Sequence, residues 1–214
     1  MADNYLEKRY EEVFGRNQAK KATRPTWPSL DSLLLKARSV RGYDRSRIVT
    51  EKELETIVSV NTRIPSARNQ QGLRFRLVTA GPEAEAVLGA VKMGGALPEL
   101  KLPFPGTEPE AFIVVCAAIP ETKFLDIDLG ISLQSMALKA ADMKLNSLII
   151  CAFDKDKLTE ALKLQLPPLA VLAVGKGAEQ IQLLSISEDK DHSYYRKEGI
   201  HFVPKVQLSD LIIR

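Results

Sequence analysis

The sequence predicts an α+β domain, a buried mixed sheet of four or five strands wrapped by helices. Three observations carry that prediction. The runs "AFIVVCAAI" (111–119), "SLIICAF" (147–153) and "LAVLAVG" (169–175) are continuously apolar, as strands covered on both faces are. "LRFRLVT" (73–79) alternates Leu73, Phe75 and Leu77 with Arg74 and Arg76, the period of a half-buried strand whose arginines face solvent. Around these lie segments with helical spacing and helix-start signals.

In chain order, residues 3–20 read as a polar helix whose few apolar positions are Tyr5, Leu6, Tyr10, Val13 and Phe14. A Pro-rich break, "TRPTWPS" (23–29), follows and holds the only tryptophan. Residues 1–30 are therefore expected as an N-terminal arm, packed on the body or on a partner subunit, with one domain over 31–214. "LDSLLLKARS" reads as a helix ending near Arg38. "TEKELETIVSV" (50–60) opens with a capping box, Thr50 with Glu53, and spaces Leu54, Ile57 and Val58 for a helix. "PSARNQQG" then turns the chain into the alternating strand. A helix is expected over 82–92, and the Gly- and Pro-rich stretch 94–106 reads as a loop or lid. Residues 126–144 form a long helix, apolar on most sides, with Asp126 as its expected cap. Asp154 caps a helix over 155–164. The tail, 192–214, reads as irregular before a last short helix, "LSDLII".

Composition narrows the functional classes. With 214 residues, 45% of them hydrophobic, the chain suits one globular domain. Its longest apolar run, nine residues, is far below the roughly 20 needed to cross a bilayer. The charged start "MADNYLEKRYEE" lacks an apolar signal core, so a cytoplasmic location is expected. Cys116 and Cys151 both sit in apolar runs and are expected as buried free thiols. His192 and His201 lack metal-ligand spacing, so neither a disulfide framework nor a metal site is expected. A net charge of +3, with both signs interspersed, offers no basic stripe for nucleic acid. No G-x-S-x-G, G-x-G-x-x-G or phosphate-loop motif is present.

What remains is a set of polar clusters. "ARSVRGY" (37–43) places two arginines around a serine at a helix end. "PSARNQQ" (65–71) packs a turn-former, an arginine and three side-chain amides into seven positions. "VPK" (203–205) lies near the C-terminus. In this order, and with Asp128-Leu129-Gly130 and Gln134 on the long helix and Cys151-Ala152-Phe153 closing a strand, they resemble the FMN-dependent nitroreductase family over roughly residues 31–212.

That resemblance implies a nitroreductase-like flavin fold: an α+β domain with a central mixed, mainly antiparallel sheet, in an intertwined homodimer. It implies FMN as cofactor and NADH or NADPH as electron donor. The activity would be ping-pong transfer of hydride to a nitroaromatic, quinone or similar small oxidant. No side chain is expected to act as catalytic acid or base, because the flavin carries the chemistry. Arg38, Ser39 and Lys205 are expected at the FMN phosphate, a near-dianion that needs cations or aligned N–H groups. Arg41 is expected at the N1/O2 edge, where charge develops on reduction. Asn69 is expected at the pyrimidine edge with Gln71 nearby. Pro65 and Ser66 would pack on the flavin of the other subunit, and the backbone N–H groups of Cys151 and Ala152 would approach N5 and O4. The same resemblance accommodates a different flavin reaction, or a non-catalytic small-molecule-binding relative.

The chain departs from the family pattern at definite places. Ala37 stands where an arginine is usual, and Gln207 where a second C-terminal basic residue is. Losing two cations, at about 1.5–3 kcal/mol per charge-assisted contact, would weaken a phosphate ligand by about 10²- to 10⁴-fold. Gly72-Leu73 replaces Pro-Trp. Asn146 stands where a turn glycine is common, a mild change because asparagine tolerates positive φ.

Overall fold

A computed structural model of the chain describes residues 28–95 and 97–213. The expected helix over 3–20 and nearly all of the N-terminal arm lie outside the described residues.

Four strands form the central sheet: β1 (Leu73–Val78), β2 (Ala111–Ala117), β3 (Asn146–Ile150) and β4 (Pro168–Gly175), in the order β1-β2-β4-β3. Every pairing in it is antiparallel. The expected mixed character is therefore absent from this sheet. Strand β2 is buried at all seven positions, and β4 is buried at all but one of eight. Phe112, Ile113, Val114 and Val115 have no exposed surface; each such side chain stabilises by about 1.5–3 kcal/mol relative to exposure. As the alternation predicts, Arg74 and Arg76 of β1 are exposed.

Helices cover both faces. On one side α3 (Pro82–Ala90) and α5 (Lys155–Leu162) pack Val87, Leu158 and Leu162 against Phe112, Val114 and Val171. On the other, α2 (Glu51–Val58) and α4 (Lys123–Asp142) pack Leu54, Ile57, Leu133 and Met136 against Ile113, Val115 and Leu172. A short helix α1 (Leu30–Lys36) precedes them. The capping box of α2 is formed: the Glu53 N–H donates to the Thr50 hydroxyl at 3.3 Å, and the Thr50 N–H donates to the Glu53 carboxylate at 2.9 Å. Asp154 caps α5 by accepting the Lys157 N–H at 3.0 Å. The long helix starts earlier than expected. Thr122 caps it, accepting the Leu125 N–H at 3.2 Å, and Asp126 is an exposed first-turn residue.

The C-terminal part corrects the sequence reading. Instead of an irregular tail, β5 (Gln180–Ile186), β6 (Tyr195–Lys197) and β7 (Ile200–Val206) form a second sheet in the order β5-β7-β6. β5 and β7 are parallel, and β6 and β7 are an antiparallel hairpin. Its two-residue turn, Glu198-Gly199, has φ of 52° and 78°, the sign that tight hairpin turns demand at both positions. Helix α6 (Leu208–Leu211) ends the described chain. The segment 94–106 is anchored by Leu97 and Leu102, both buried. No helix among the described residues is long and apolar enough to cross a membrane.

Candidate functional site

The turn "PSARNQQ" is held in an unusual backbone. Arg68, Asn69 and Gln71 adopt φ of 51°, 52° and 48°. Left-handed backbone costs a non-glycine residue roughly 1–2 kcal/mol, so neighbouring groups must over-determine the turn. They do. The Asp128 carboxylate accepts the Ala67 N–H at 2.8 Å, the Ser66 hydroxyl accepts the Gln71 N–H at 3.2 Å, and the Ser66 carbonyl accepts the Asn69 N–H at 3.0 Å. The Gln71 amide N–H donates to the Asn69 side-chain carbonyl at 3.1 Å. With that pairing Asn69 keeps its NH₂ and Gln71 its carbonyl for another partner, one donor group and one acceptor group side by side. Both residues and Pro65 are exposed, and Ser66 is half-buried. Gly72 lets the turn run close to the body, since a Cβ there would lie 2.5 Å from the Ile119 side chain. Pro65, Ser66 and Gln71 border an open cleft of about 620 Å³, whose walls include Phe75, Asp128 and Ser132.

The basic segment lies elsewhere. Ser39 bridges to Ser147 at the start of β3, and the Val40 N–H donates to the Ser147 carbonyl at 3.1 Å. Tyr43 fixes this segment from inside: its hydroxyl donates to the Val40 carbonyl at 2.8 Å, and burial pushes that hydroxyl's pKa up. The Arg41 N–H donates to the Glu179 carboxylate at 2.8 Å. Its guanidinium donates to the Ser39 carbonyl at 3.2 Å and lies over the Tyr194 ring, 4.9 Å from the centroid. Glu179 is ion-paired with Arg196, both largely buried. Beside them His201 is buried, edge-on to Tyr194 with ring centroids 5.1 Å apart. Burial first, then the Arg196 and Arg41 charges, hold its pKa below the ordinary histidine value. The buried Nε atoms of Arg38, Arg41 and Arg196 have no hydrogen-bond partner.

The ten expected site residues thus fall into separate groups. Arg38, Ser39 and Arg41 lie beside the first residues of β3, and Cys151 and Ala152 lie beyond its last. The turn 65–71 leads into β1, the opposite edge of the sheet, three strand spacings or about 14 Å away. Lys205 is exposed on β7, four residues or about 13 Å past His201. The cation that does reach the Arg41 neighbourhood is Arg196. Cys151 is exposed, not buried, because pairing with β4 stops at Ile150 opposite Val171. Gln207 donates its side-chain amide to Asp210 at 3.0 Å, as a helix-start residue. The positive φ expected at Asn146 sits instead at Lys144, with φ of 61°; the Asn146 side chain accepts the Gly177 N–H at 2.9 Å. The sequence does not mark Glu179, Tyr194 or Arg196, and His201 enters it only as a histidine without metal-ligand spacing. They converge only through the second sheet, and no local spacing announces that.

Among the described residues no cluster of three or more His, Cys, Asp or Glu could hold a metal ion. The groups present fit a flavin nucleotide better. Arginines with unpartnered buried nitrogens suit a phosphate and carbonyl acceptors, and a rigid turn with adjoining amides suits a flat heterocycle edge.

Comparison with known proteins bears on the family and the fold. Residues 34–176 match the model of the Nitroreductase family. A nitroreductase family protein from Clostridium difficile 630 superposes with a TM-score of 0.54 at 24% identity, covering 69% of this chain and 83% of that one. One from Clostridium novyi NT gives 0.57 at 19% identity, covering 83% and 94%. An FMN- and NADPH-dependent nitroreductase from Sphigopyxis sp. strain HMH gives 0.59 at 18% identity, covering 71% and 89%. No curated protein matches the chain.

Proposed function

The chain belongs to the nitroreductase family, and on that premise we propose that it is an FMN-dependent oxidoreductase whose site is completed by a second copy of the chain. The observation that carries this reading is the separation of the turn 65–71 from the segment 38–41. One chain offers the two halves of a flavin site at different edges of its sheet. A two-fold dimer brings the turn of one chain to the arginines of the other, twice over. Because the turn is one hydrogen-bonded unit, Asn69 and Gln71 serve the same site as Pro65 and Ser66.

In this reading Arg38 and Ser39 hold the phosphate, Lys205 stands apart from them on β7, and Arg41 faces the N1/O2 edge. Asn69 and Gln71 meet the pyrimidine edge with the donor and acceptor their mutual bond leaves free. Pro65 and Ser66 pack on the ring, and the backbone of Cys151 and Ala152 borders it. Bound FMN would supply the redox chemistry, taking hydride from NADH or NADPH and passing it to a nitroaromatic, quinone or similar small acceptor in ping-pong fashion. The chain's own part is to hold, orient and shield, with Arg41 as fixed positive charge at the edge where negative charge develops.

Subunit complementation tests the shared site. Arg41→Ala and Asn69→Leu should each weaken FMN retention. In a co-expressed mixture every heterodimer carries one intact site, so about one site in four should bind as in the wild type. A mixture no better than either variant alone would contradict a site built from two chains.

A further inference from the structure

Helix α4 is apolar along most of its buried face, yet it buries two polar side chains one turn apart, Asp128 and Ser132, exposed by only 5% and 0%. Residues four apart share one helix face. Among the described residues each has a single hydrogen-bond partner, and both partners lie in the stretch 61–67. Ser132 donates its hydroxyl to the Asn61 side-chain carbonyl at 2.6 Å, and Asp128 accepts the Ala67 N–H at 2.8 Å. Asn61 is itself fixed, its amide donating to the Val58 carbonyl at 2.9 Å. The two bonds therefore pin both ends of 61–67, the loop that carries Pro65 and Ser66 along the cleft. Immediately after the second pin come Arg68, Asn69 and Gln71 in left-handed backbone. The Ser66 bonds and the Asn69–Gln71 bond hold the turn from within, whereas Asp128 ties it to the helix, and burying a carboxylate has little purpose unless its bond is needed.

We propose that Asp128 is a positioning residue, with Ser132 as its second anchor: together they tie the turn 65–71 to the central helix and fix where its side-chain amides stand. The effect on ligand rests on the flavin reading above; the effect on the turn does not. Asp128 touches no reacting atom in this account. It acts through the Ala67 N–H, so asparagine, which keeps the acceptor oxygen, should substitute for it and alanine should not.

Amide hydrogen exchange over 61–72, followed by mass spectrometry, and FMN titration would be measured on the wild type, Asp128→Ala, Asp128→Asn and Ser132→Ala. Asp128→Ala should speed exchange at 65–71 by tenfold or more while leaving β2 and β4 protected, and weaken FMN by about ten- to a hundredfold. Asp128→Asn should restore most of both. Ser132→Ala, the gentler change, should speed exchange around 61–64. Unchanged exchange at 65–71 in Asp128→Ala would overturn the tether. Faster exchange with unchanged FMN affinity would overturn its role toward the ligand. A wild type that binds no FMN would sink the flavin reading instead, and the exchange data would still decide whether Asp128 fixes the turn.

Discussion

The guanidinium of Arg41 lies over the ring of Tyr194, 4.9 Å from its centroid, although 153 positions separate the two residues. Arg41 belongs to the family-matched segment and Tyr194 to the chain just before β6, beyond it. The chain leading into the C-terminal hairpin thus holds a residue that the flavin reading places at the isoalloxazine edge. Stacking of this kind is worth about 0.5–1 kcal/mol at a partly exposed site. Tyr194→Leu should therefore raise the FMN dissociation constant by about two- to fivefold. Tyr194→Phe, which keeps the ring, should change it less. Fluorescence titration of both variants checks this; equal effects of Phe and Leu would move the contribution to the hydroxyl, which sits 3.4 Å from the guanidinium.

The two thiols should behave differently. Cys151 is exposed, whereas Cys116 is buried in β2 and its pKa is raised by that burial. A thiol reagent should label one cysteine per native chain, and none in Cys151→Ala until the protein unfolds. In the flavin reading Cys151 borders the site, so saturating FMN should slow its labelling. Equal rates with and without bound FMN would remove the 151–152 backbone from the site.

His201 gives the fold a pH dependence of known sign. Its folded pKa lies below that of the unfolded chain, so the unfolded state takes up the proton first as pH falls. Stability is complete above the unfolded value of about 6.5 and declines below it, by up to about 1.4 kcal/mol per pH unit. Urea midpoints between pH 7.5 and 5 should fall more steeply for the wild type than for His201→Leu. Parallel curves would mean that the histidine titrates alike in the folded and unfolded chain.

Gly175 is required by its neighbour. A Cβ there would lie 2.6 Å from Cδ1 of Tyr43, whose ring is fixed by its bond to the Val40 carbonyl. Gly175→Ala should destabilise by about 1–3 kcal/mol, the range for overpacked cores. Combined with Tyr43→Leu, the double variant should lose less than the sum of the two single losses, because the smaller side chain gives way. Strict additivity in thermal melts would place the strain elsewhere.

Much of the fold was legible because burial on both faces leaves a plain mark. β2 and β4 read directly as apolar runs, and Thr50 with Glu53 announced α2. The second sheet was not legible for equally physical reasons. β6 is three residues with an exposed tyrosine and lysine, its turn is Glu-Gly instead of Asn-Gly or Asp-Gly, and Pro204 inside β7 argues against a strand. Cys151 was misplaced because "SLIICAF" stays apolar past the last pairing, at Ile150. The motif residues stand out in the sequence by order and type. Their separation at two sheet edges could not be, since strand order is a long-range property. Nor could the left-handed Arg68 and Gln71, which no glycine signals.

In the flavin reading this chain binds FMN despite Ala37 and Gln207. Titration of the purified, flavin-stripped protein with FMN, followed by flavin fluorescence, tests it most directly. The account predicts saturable binding at one FMN per chain, with affinity lost in Arg41→Ala. No binding at tens of micromolar FMN would contradict it, and would mean that the fold has been kept without the flavin.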